Sequence, residues 1–171
     1  MELLRAVLLC AFGPMRRSEA CGLVSDDIKG NVVYVKRAVV KAPDGTWVTK
    51  GPKTDGSYRK IQFPDFVINS MKGIDGKIIE HTPDYIGDKF RKTLKKMDIP
   101  YFRFHDLRHF GASIMMYMGV PQKVIEARGG WSSNSPVLRR TYQNIIEDEL
   151  EKNNLKVNES FQQTFGDLFK T

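Results

Sequence analysis

The sequence predicts a mainly helical α+β domain with one small antiparallel β-sheet. Apolar residues recur at helical spacing in two separate stretches, first within residues 3–11 and later within residues 86–97. Between these stretches the period changes to two, because residues 32–39 alternate as a β-strand does. A length of 171 residues fits a single domain with a core of its own.

Composition narrows the function classes. The net charge is +7 and the pI is about 9.4, which favours a polyanionic partner and nucleic acid first. Cys10 and Cys21 lie in apolar stretches, so we expect reduced core thiols rather than a disulfide framework. No apolar run reaches the length of a membrane span, and the N-terminus lacks the basic region of a signal peptide. These features predict a cytoplasmic protein with no membrane partner.

The first helix covers residues 3–11 and is ended by Gly13-Pro14. The chain thus begins inside a core helix, which is typical of a fragment of a longer protein. A short buried helix is predicted at residues 20–23. Just before it, Arg16 and Glu19 are three residues apart and can pair, although a surface ion pair of low energy would explain the same spacing.

Three strands are predicted, at residues 32–39, 47–49 and 58–63, with a turn at Pro43-Asp44-Gly45. The second and third strands flank a hairpin loop that carries Lys50 and Lys53. A solvated lysine is the ordinary outcome for such a loop. A lysine that reaches into a site is the alternative.

A further helix begins at Thr82, which is the expected N-cap before Pro83 and Asp84. Its predicted apolar stripe contains Ile86, Phe90, Leu94 and Met97. A separate basic stripe contains Lys89, Lys92 and Lys96, with Arg91 and Lys95 beside it. A solvated face would explain this stripe, but charges of one sign so closely grouped favour contact with phosphates.

The segment His105-Asp106-Leu107-Arg108-His109 opens the next helix. His105 and Arg108 are three residues apart and project together, at a helix N-terminus that favours anions. We therefore expect a site for an oxyanion or a phosphate. A zinc site at His105 and His109 is a weaker alternative, because no further ligand cluster is evident in the sequence.

Two helical stretches and a tail follow. One helix runs from Pro121 to Arg128-Gly129-Gly130, and after Trp131 a polar loop leads to a helical run that contains Arg139, Arg140 and Tyr142. The tail has an apolar helical face at Phe161, Phe165, Leu168 and Phe169. Because disordered tails seldom carry such a face, we expect it to dock in a groove.

Together these segments resemble the catalytic domain of the tyrosine recombinases, also called phage integrases, from Phe12 to about Asn144. The family's Gly-x-Arg-x-x-Glu-like segment corresponds to residues 13–19, with Pro14 in place of a glycine. Its Lys-Thr-x-x-Ser-x-Arg pattern corresponds to residues 53–59, and its His-x-Leu-Arg-His to residues 105–109. Its Leu-Gly-Trp corresponds to Gly129-Gly130-Trp131, without the leucine, and its tyrosine to Tyr142. Five motifs in the right order make the match specific.

The resemblance implies a site-specific recombinase that cleaves and rejoins DNA for integration or excision. Tyr142 would attack the phosphorus and form a 3′-phosphotyrosyl intermediate, and this covalent link would conserve the bond energy without ATP. Arg16 and Arg108 would neutralise the non-bridging oxygens without a metal, and Lys53 would protonate the leaving 5′ oxygen. His105 would move protons, Trp131 would bind a phosphate oxygen or shape the pocket, and Glu19 and His109 would support the site.

The same resemblance implies the wider organisation. Residues 1–153 would form the catalytic domain, without the core-binding domain of the family, and residues 154–171 would form a tail helix that docks in cis or in trans. The partners would be double-stranded DNA and further copies of the chain, as a dimer or tetramer on DNA. No cofactor is implied. The expected DNA-contacting residues are Lys89, Lys92, Lys96, Arg139 and Arg140.

Two other functions stay open at this point. An inactive DNA-binding remnant is one, motivated by the missing N-terminal part, although every reactive position is filled. A type IB topoisomerase-like enzyme is the other, because such enzymes have a closely similar site. Relaxation of DNA by single-strand cleavage without synapsis would distinguish the topoisomerase from the recombinase.

Overall fold

The computed structural model describes residues 1–51, 58–133, 135, 136, 138, 158, 161 and 163. As predicted, helices dominate and the strands are short and antiparallel. The helices are α1 (Glu2–Phe12), α2 (Arg17–Ala20), α3 (Asp65–Asn69), α4 (Pro83–Lys96), α5 (Asp106–Tyr117) and α6 (Gln122–Gly129). The strands are β1 (Ile28–Lys29), β2 (Val32–Val35), β3 (Ala38–Lys41), β4 (Trp47–Lys50) and β5 (Arg59–Gln62).

The described strands form two sheets, where the sequence predicted one. The first has the order β1-β2-β5, and the second pairs β3 with β4. The predicted strand at residues 32–39 is therefore divided between the sheets, and β4 and β5 belong to different sheets. The division coincides with an ion-pair cluster, because the buried carboxylate of Asp27 binds Lys36 Nζ at 3.1 Å and Arg37 Nη1 at 2.7 Å. These contacts hold the chain between β2 and β3 against the 3-10 turn at Ser25–Asp27.

The start of α4 confirms the predicted cap. The Oγ1 atom of Thr82 accepts a hydrogen bond from the backbone N–H of Tyr85, and Pro83 occupies the first turn. Ile86, Phe90 and Leu94 are buried as expected, but Met97 is exposed, so its place in the apolar stripe was wrong. Met97 is the C-cap residue and lies beyond the part of the helix that packs on the core.

Helices α1 and α5 pack closely, and this packing places Arg108. A Cβ atom at Gly111 would overlap the backbone carbonyl of Ala11, so only glycine permits the observed approach. Arg108 lies three residues before Gly111 on the same helix, and its side chain therefore reaches the chain just after α1. The close contact explains why the carbonyl of Pro14 lies within hydrogen-bonding reach of Arg108.

Helix α5 connects two groups of buried apolar residues. Leu107 belongs to the main core, which also contains Leu9, Ile61 and Ile86, whereas Ala112 and Met116 pack with Ile125 and Leu138. Arg108 follows Leu107 directly, so it lies where the two groups meet. The candidate site is thus held by packing on both sides.

Two further predictions can be compared with the structure. Cys10 and Cys21 are buried free thiols, as expected, and burial raises the pKa of Cys21 to about 12. Among the residues described, no helix combines the length and apolar character needed to cross a bilayer.

Candidate active site

The side chains of Arg16 and Arg108 meet at two consecutive backbone carbonyls. Arg16 donates from Nη2 to the carbonyl oxygen of Gly130 at 2.8 Å, and Arg108 donates from Nη1 to that of Gly129 at 2.8 Å. We call these two residues the arginine pair. Arg16 is the N-cap residue of α2 and Arg108 lies in the first turn of α5, so rigid elements position both.

Arg108 is enclosed and has one unused donor. Only 2% of its surface is exposed, and its guanidinium lies 3.8 Å from the centre of the Trp131 ring. Its Nη1 also donates to Pro14, whereas its Nη2 is buried and has no hydrogen-bond partner among the residues described. A buried donor left in this state costs about 1–3 kcal/mol. A buried donor in this state requires an explanation, and a catalytic role is one that fits its place beside Arg16.

Two like charges act on Arg108. Burial, followed by the charges of Arg16 and Arg59, lowers the pKa of Arg108 to about 9, while Glu19 opposes this change. The guanidinium therefore keeps its proton at neutral pH. An anionic group beside this guanidinium would offset both the cost of burying its charge and its repulsion by Arg16 and Arg59.

Two glycines build the surface that the arginine pair contacts. Gly130 ends α6 with φ +70°, in the left-handed region that favours glycine. At Gly129 a Cβ atom would overlap the Trp131 ring. A side chain at Gly129, where the related motif has leucine, would therefore require Trp131 to move. Pro14 replaces a glycine without loss, since the contact uses only its carbonyl.

Glu19 joins Arg16 to a third arginine. Its Oε1 accepts from Arg16 Nη1 at 2.7 Å and its Oε2 accepts from the Arg16 backbone N–H at 2.8 Å. Arg59 donates to the same two oxygens, from Nη1 at 3.1 Å and from Nη2 at 2.7 Å. Burial acts to raise the pKa of Glu19, but the hydrogen bonds and charges of Arg59 and Arg16 outweigh it and hold this pKa below its usual value.

His105 and His109 lie on the same side of α5, with ring centres 5.0 Å apart. Burial lowers the pKa of His105, and the nearby His109 and Arg108 lower it further. Burial also lowers the pKa of His109. A neutral imidazole at His105 can accept a proton, which suits proton transfer. Within the described ranges, no group of three or more potential metal ligands is present.

A groove of about 620 Å³ extends from Arg16 and His105 across the surface. Trp47 and Tyr101 contribute aromatic faces to its lining, and Phe90 and Phe104 contribute buried apolar side chains. We call it the basic groove, because its lining includes Arg16, Arg17, Lys41, Arg91, Arg103 and His105. Such a lining suits a phosphodiester backbone.

The sequence-predicted residues fall into three sets. Arg16, Glu19, His105, Arg108, His109 and Trp131 lie at or beside the arginine pair. Lys89, Lys92 and Lys96 are exposed but do not line the basic groove, which uses Gly87, Asp88 and Arg91 of the same helix. Lys53, Arg139, Arg140 and Tyr142 lie outside the described residues, as do Phe165, Leu168 and Phe169, while Phe161 is 61% exposed.

Arg59 is the main contributor that sequence reasoning missed. The sequence shows it only as the last residue of the segment at residues 53–59, yet its side chain is 6% exposed and binds Glu19. A signal was present in the alternation of β5, because Arg59 has the same parity as Ile61 and Phe63, which are both buried. An arginine on the buried face of a strand requires a partner. Lys41 and Arg103 of the basic groove carried no comparable signal.

Comparison with known proteins identifies the family of this chain. The Phage integrase family matches residues 1–148. The putative prophage phiRv2 integrase of Mycobacterium tuberculosis (strain CDC 1551 / Oshkosh) is 30% identical over 152 residues, which cover 78% of this chain and 40% of that protein. The chain thus spans about two fifths of the length of this relative.

Solved structures show the same fold. The Tn1549 transposon integrase in complex with a circular intermediate DNA has a TM-score of 0.70 at 19% identity, covering 86% of this chain and 57% of that one. A lambda integrase tetramer bound to a Holliday junction has a TM-score of 0.55 at 16% identity, covering 79% and 42%. The fold is that of a tyrosine recombinase catalytic domain, and the chain belongs to the phage integrase family.

Proposed function

We propose that this chain is the catalytic part of a site-specific DNA recombinase that uses Tyr142 as its nucleophile. The observation that carries the proposal is the arginine pair, in which the buried Nη2 of Arg108 lacks a partner close to the half-exposed guanidinium of Arg16. A phosphate in a DNA backbone supplies the oxygen acceptors and the negative charge that this pair requires.

The proposed reaction is a transesterification. The phenolic oxygen of Tyr142 attacks phosphorus, the bond from phosphorus to the 5′ oxygen breaks, and the 3′ phosphate stays on the enzyme. Lys53 gives its proton to the departing 5′ oxygen, and the neutral imidazole of His105 accepts the proton of the tyrosine. Religation reverses these steps with a new 5′ hydroxyl, so the bond energy is conserved without ATP.

The arginine pair would stabilise the transition state. Charge grows on the two non-bridging oxygens during attack, and guanidinium groups held by packing stabilise that charge without reorganisation. This neutralisation is the task that metal ions perform in nucleases. Because Arg108 is buried, DNA binding must displace part of its cover before an oxygen can reach Nη2.

The basic groove would hold the DNA on one side of the reacting phosphate. Arg17, Lys41, Arg91 and Arg103 lie along it, and each can contact a neighbouring phosphate. Contacts of this kind fix the register of the duplex but carry little sequence information. We therefore expect DNA binding that is strongly salt-dependent and weakly sequence-specific.

Assembly on DNA is part of the same proposal. The lambda integrase structure holds a tetramer on a Holliday junction. For the present chain we propose that residues 154–171 pack their apolar face in a groove of a neighbouring copy on DNA. Truncation after Asn153 should leave folding intact and weaken multimers on DNA, which sedimentation of protein–DNA complexes would measure.

The test is covalent capture on a nicked suicide DNA site, in which loss of the short 5′ strand prevents religation. The wild-type chain should form a protein–DNA adduct, and Tyr142→Phe should form none while it binds DNA as before. Tyr117→Phe is the matched control, since Tyr117 is 70% exposed and is the nearest other tyrosine in sequence. Adduct formation that survives in Tyr142→Phe would overturn the assignment of the nucleophile.

A further inference from the structure

The side chain of Arg59 has an unusual environment for the first residue of a strand. It is 6% exposed, and its fork-shaped guanidinium spans both oxygens of Glu19. Its Nε donates to the backbone carbonyl of Arg128 at 2.9 Å. Arg59 therefore joins β5 to α2 and to the last turn of α6, which are 40 and 69 residues away in sequence.

Each oxygen of Glu19 is shared between Arg59 and Arg16. Oε1 accepts from Arg59 Nη1 and Arg16 Nη1, whereas Oε2 accepts from Arg59 Nη2 and the Arg16 backbone N–H. The orientation of the carboxylate is thus set by Arg16 and Arg59 together, and Arg59 is the partner that comes from a distant segment. Without the fork of Arg59 the carboxylate can rotate, and Arg16 loses a fixed acceptor on this side.

The other side of Arg16 also depends on Arg59. Arg16 Nη2 donates to Gly130, and a Cβ atom at Gly130 would lie 3.0 Å from Arg59 Nη1. Arg59 therefore lies against the same turn that accepts from Arg16, and its bond to the Arg128 carbonyl holds that turn. The acceptors on both sides of the Arg16 guanidinium are placed by one residue.

Electrostatics argue that Arg59 does not itself contact the phosphate. Its charge is taken up by Glu19, and its buried side chain does not line the basic groove. A third cation this close to Arg16 and Arg108 would be repulsive without the carboxylate between them. The arrangement fits a residue that holds the partners of Arg16 in place without contacting the DNA.

We propose that Arg59 is a positioning residue: it fixes Glu19 and the Arg128–Gly130 turn so that Arg16 presents its guanidinium to the scissile phosphate. The inference rests on the proposed phosphoryl transfer. It also goes beyond it, because it assigns Arg59 an effect on the reaction that is transmitted mainly through the position of Arg16.

A double-mutant cycle on single-turnover adduct formation tests this dependence. Arg16→Ala should lower the rate about 10²–10³-fold, as loss of one preorganised donor does, and Arg59→Met should lower it by one to two orders of magnitude. If Arg59 acts through Arg16, the double variant should be no slower than Arg16→Ala alone. Multiplied losses would overturn the proposal. Non-additivity with Lys53→Ala in place of Arg16→Ala would overturn it as well.

A second DNA substrate distinguishes a loss of Arg16 positioning from a general loss of protein stability. A methylphosphonate at the scissile position removes the negative charge of one non-bridging oxygen and with it part of the need for Arg16. The defects of Arg16→Ala and Arg59→Met should both shrink on this substrate. Asp27→Asn is the matched control, because it also weakens a buried carboxylate–arginine pair, and its rate should be unchanged on either substrate.

A measurement without turnover keeps the two proposals distinguishable. In ¹⁵N relaxation of the DNA-free protein, the Nε–H group of Arg16 should be rigid in the wild type and in Asp27→Asn. It should become mobile in Arg59→Met and in Arg59→Lys, since lysine keeps the charge but not the fork. A rigid Arg16 in both Arg59 variants would refute the positioning role even if the chain formed no adduct, whereas absence of a wild-type adduct alone would refute the recombinase activity.

Discussion

Two buried carboxylates in this domain are each held by two cationic side chains, and they differ in where those partners come from. Asp27 binds Lys36 and Arg37, which follow it within ten residues. Glu19 binds Arg16 and Arg59, the second of which is 40 residues away. The Asp27 cluster closes a local loop between the two sheets, whereas the Glu19 cluster draws distant segments together.

The two clusters also differ in what lies beside them. Arg16, with 40% of its side chain exposed, lines the basic groove, donates to Gly130 and neighbours the unpartnered Nη2 of Arg108. Asp27 does not line the basic groove, and neither does Arg37, which instead lines a second groove of about 420 Å³ beside Arg16 and Glu19. A buried ion-pair cluster alone does not indicate function, because structural clusters of this kind are common as well. Long-range partners next to an unused donor are the features that indicate a site.

The largest expected difference between the clusters concerns their arginines. Arg16→Lys keeps a positive charge near Glu19 but loses the fork that reaches both Glu19 and Gly130, so adduct formation should fall about 10²–10³-fold. Arg37→Lys makes the same change in the Asp27 cluster and should alter the rate less than threefold. Single-turnover assays on suicide DNA measure both. Equal losses would remove the functional distinction between the clusters.

The next difference concerns the carboxylates. Glu19→Gln and Asp27→Asn each leave arginine partners without their counter-charge, and each should lower the free energy of unfolding by about 3 kcal/mol or more. Urea titration measures this effect. Only Glu19→Gln should also slow adduct formation, by more than tenfold under conditions where both variants are fully folded. A slow Asp27→Asn variant would show that stability alone controls the rate.

The same contrast shows what the sequence could predict. The pairing of Arg16 with Glu19 follows from a spacing of three residues, and the N-cap at Thr82 followed by Pro83 is a local feature as well. The division of residues 32–39 into two strands was not predictable, because it depends on a carboxylate at Asp27 that alternation does not register.

The role of Arg59 could not be predicted from the sequence for a related reason. Its partners are set by tertiary packing, and its parity with Ile61 and Phe63 indicated burial without indicating which residue it would meet. The basic stripe at Lys89, Lys92 and Lys96 shows that local spacing also cannot tell which side of a helix faces a groove. Helical spacing correctly grouped these lysines, but only the packing of α4 determines that Arg91 faces the basic groove.

A smaller effect should separate the basic groove from that stripe. Lys41→Gln with Arg91→Gln removes two groove cations, so the slope of log K against log salt should fall in magnitude by about 0.9 for each lost phosphate contact. Lys92→Gln with Lys96→Gln removes the same charge from positions of α4 that do not line the basic groove and should change the slope less. Lys72→Gln is the control, because Lys72 belongs neither to the basic groove nor to the stripe on α4. Fluorescence anisotropy with a labelled duplex would measure the slopes. A larger effect in the Lys92→Gln, Lys96→Gln variant would indicate that the DNA runs along the stripe and not along the basic groove.

The smallest expected effect is the dependence of stability on pH. It distinguishes His105 from Glu19, because the two groups change the free energy of unfolding in different pH ranges. The pKa of His105 is lowered in the folded state, so on acidification from about 6.5 the unfolded chain takes up the proton first and stability falls. The pKa of Glu19 is also lowered, so its contribution is present above its unfolded value of 4.5 and is lost only below it. Urea titrations between pH 8 and pH 4 should therefore show a shallow decline near pH 6 that His105→Gln reduces and Glu19→Gln leaves unchanged. Near pH 8 this histidine is neutral in both the folded and the unfolded state, so the free energy of unfolding should not change with pH there through His105. A His105→Gln variant with the wild-type slope near pH 6 would mean that His105 is not desolvated as its position on α5 indicates.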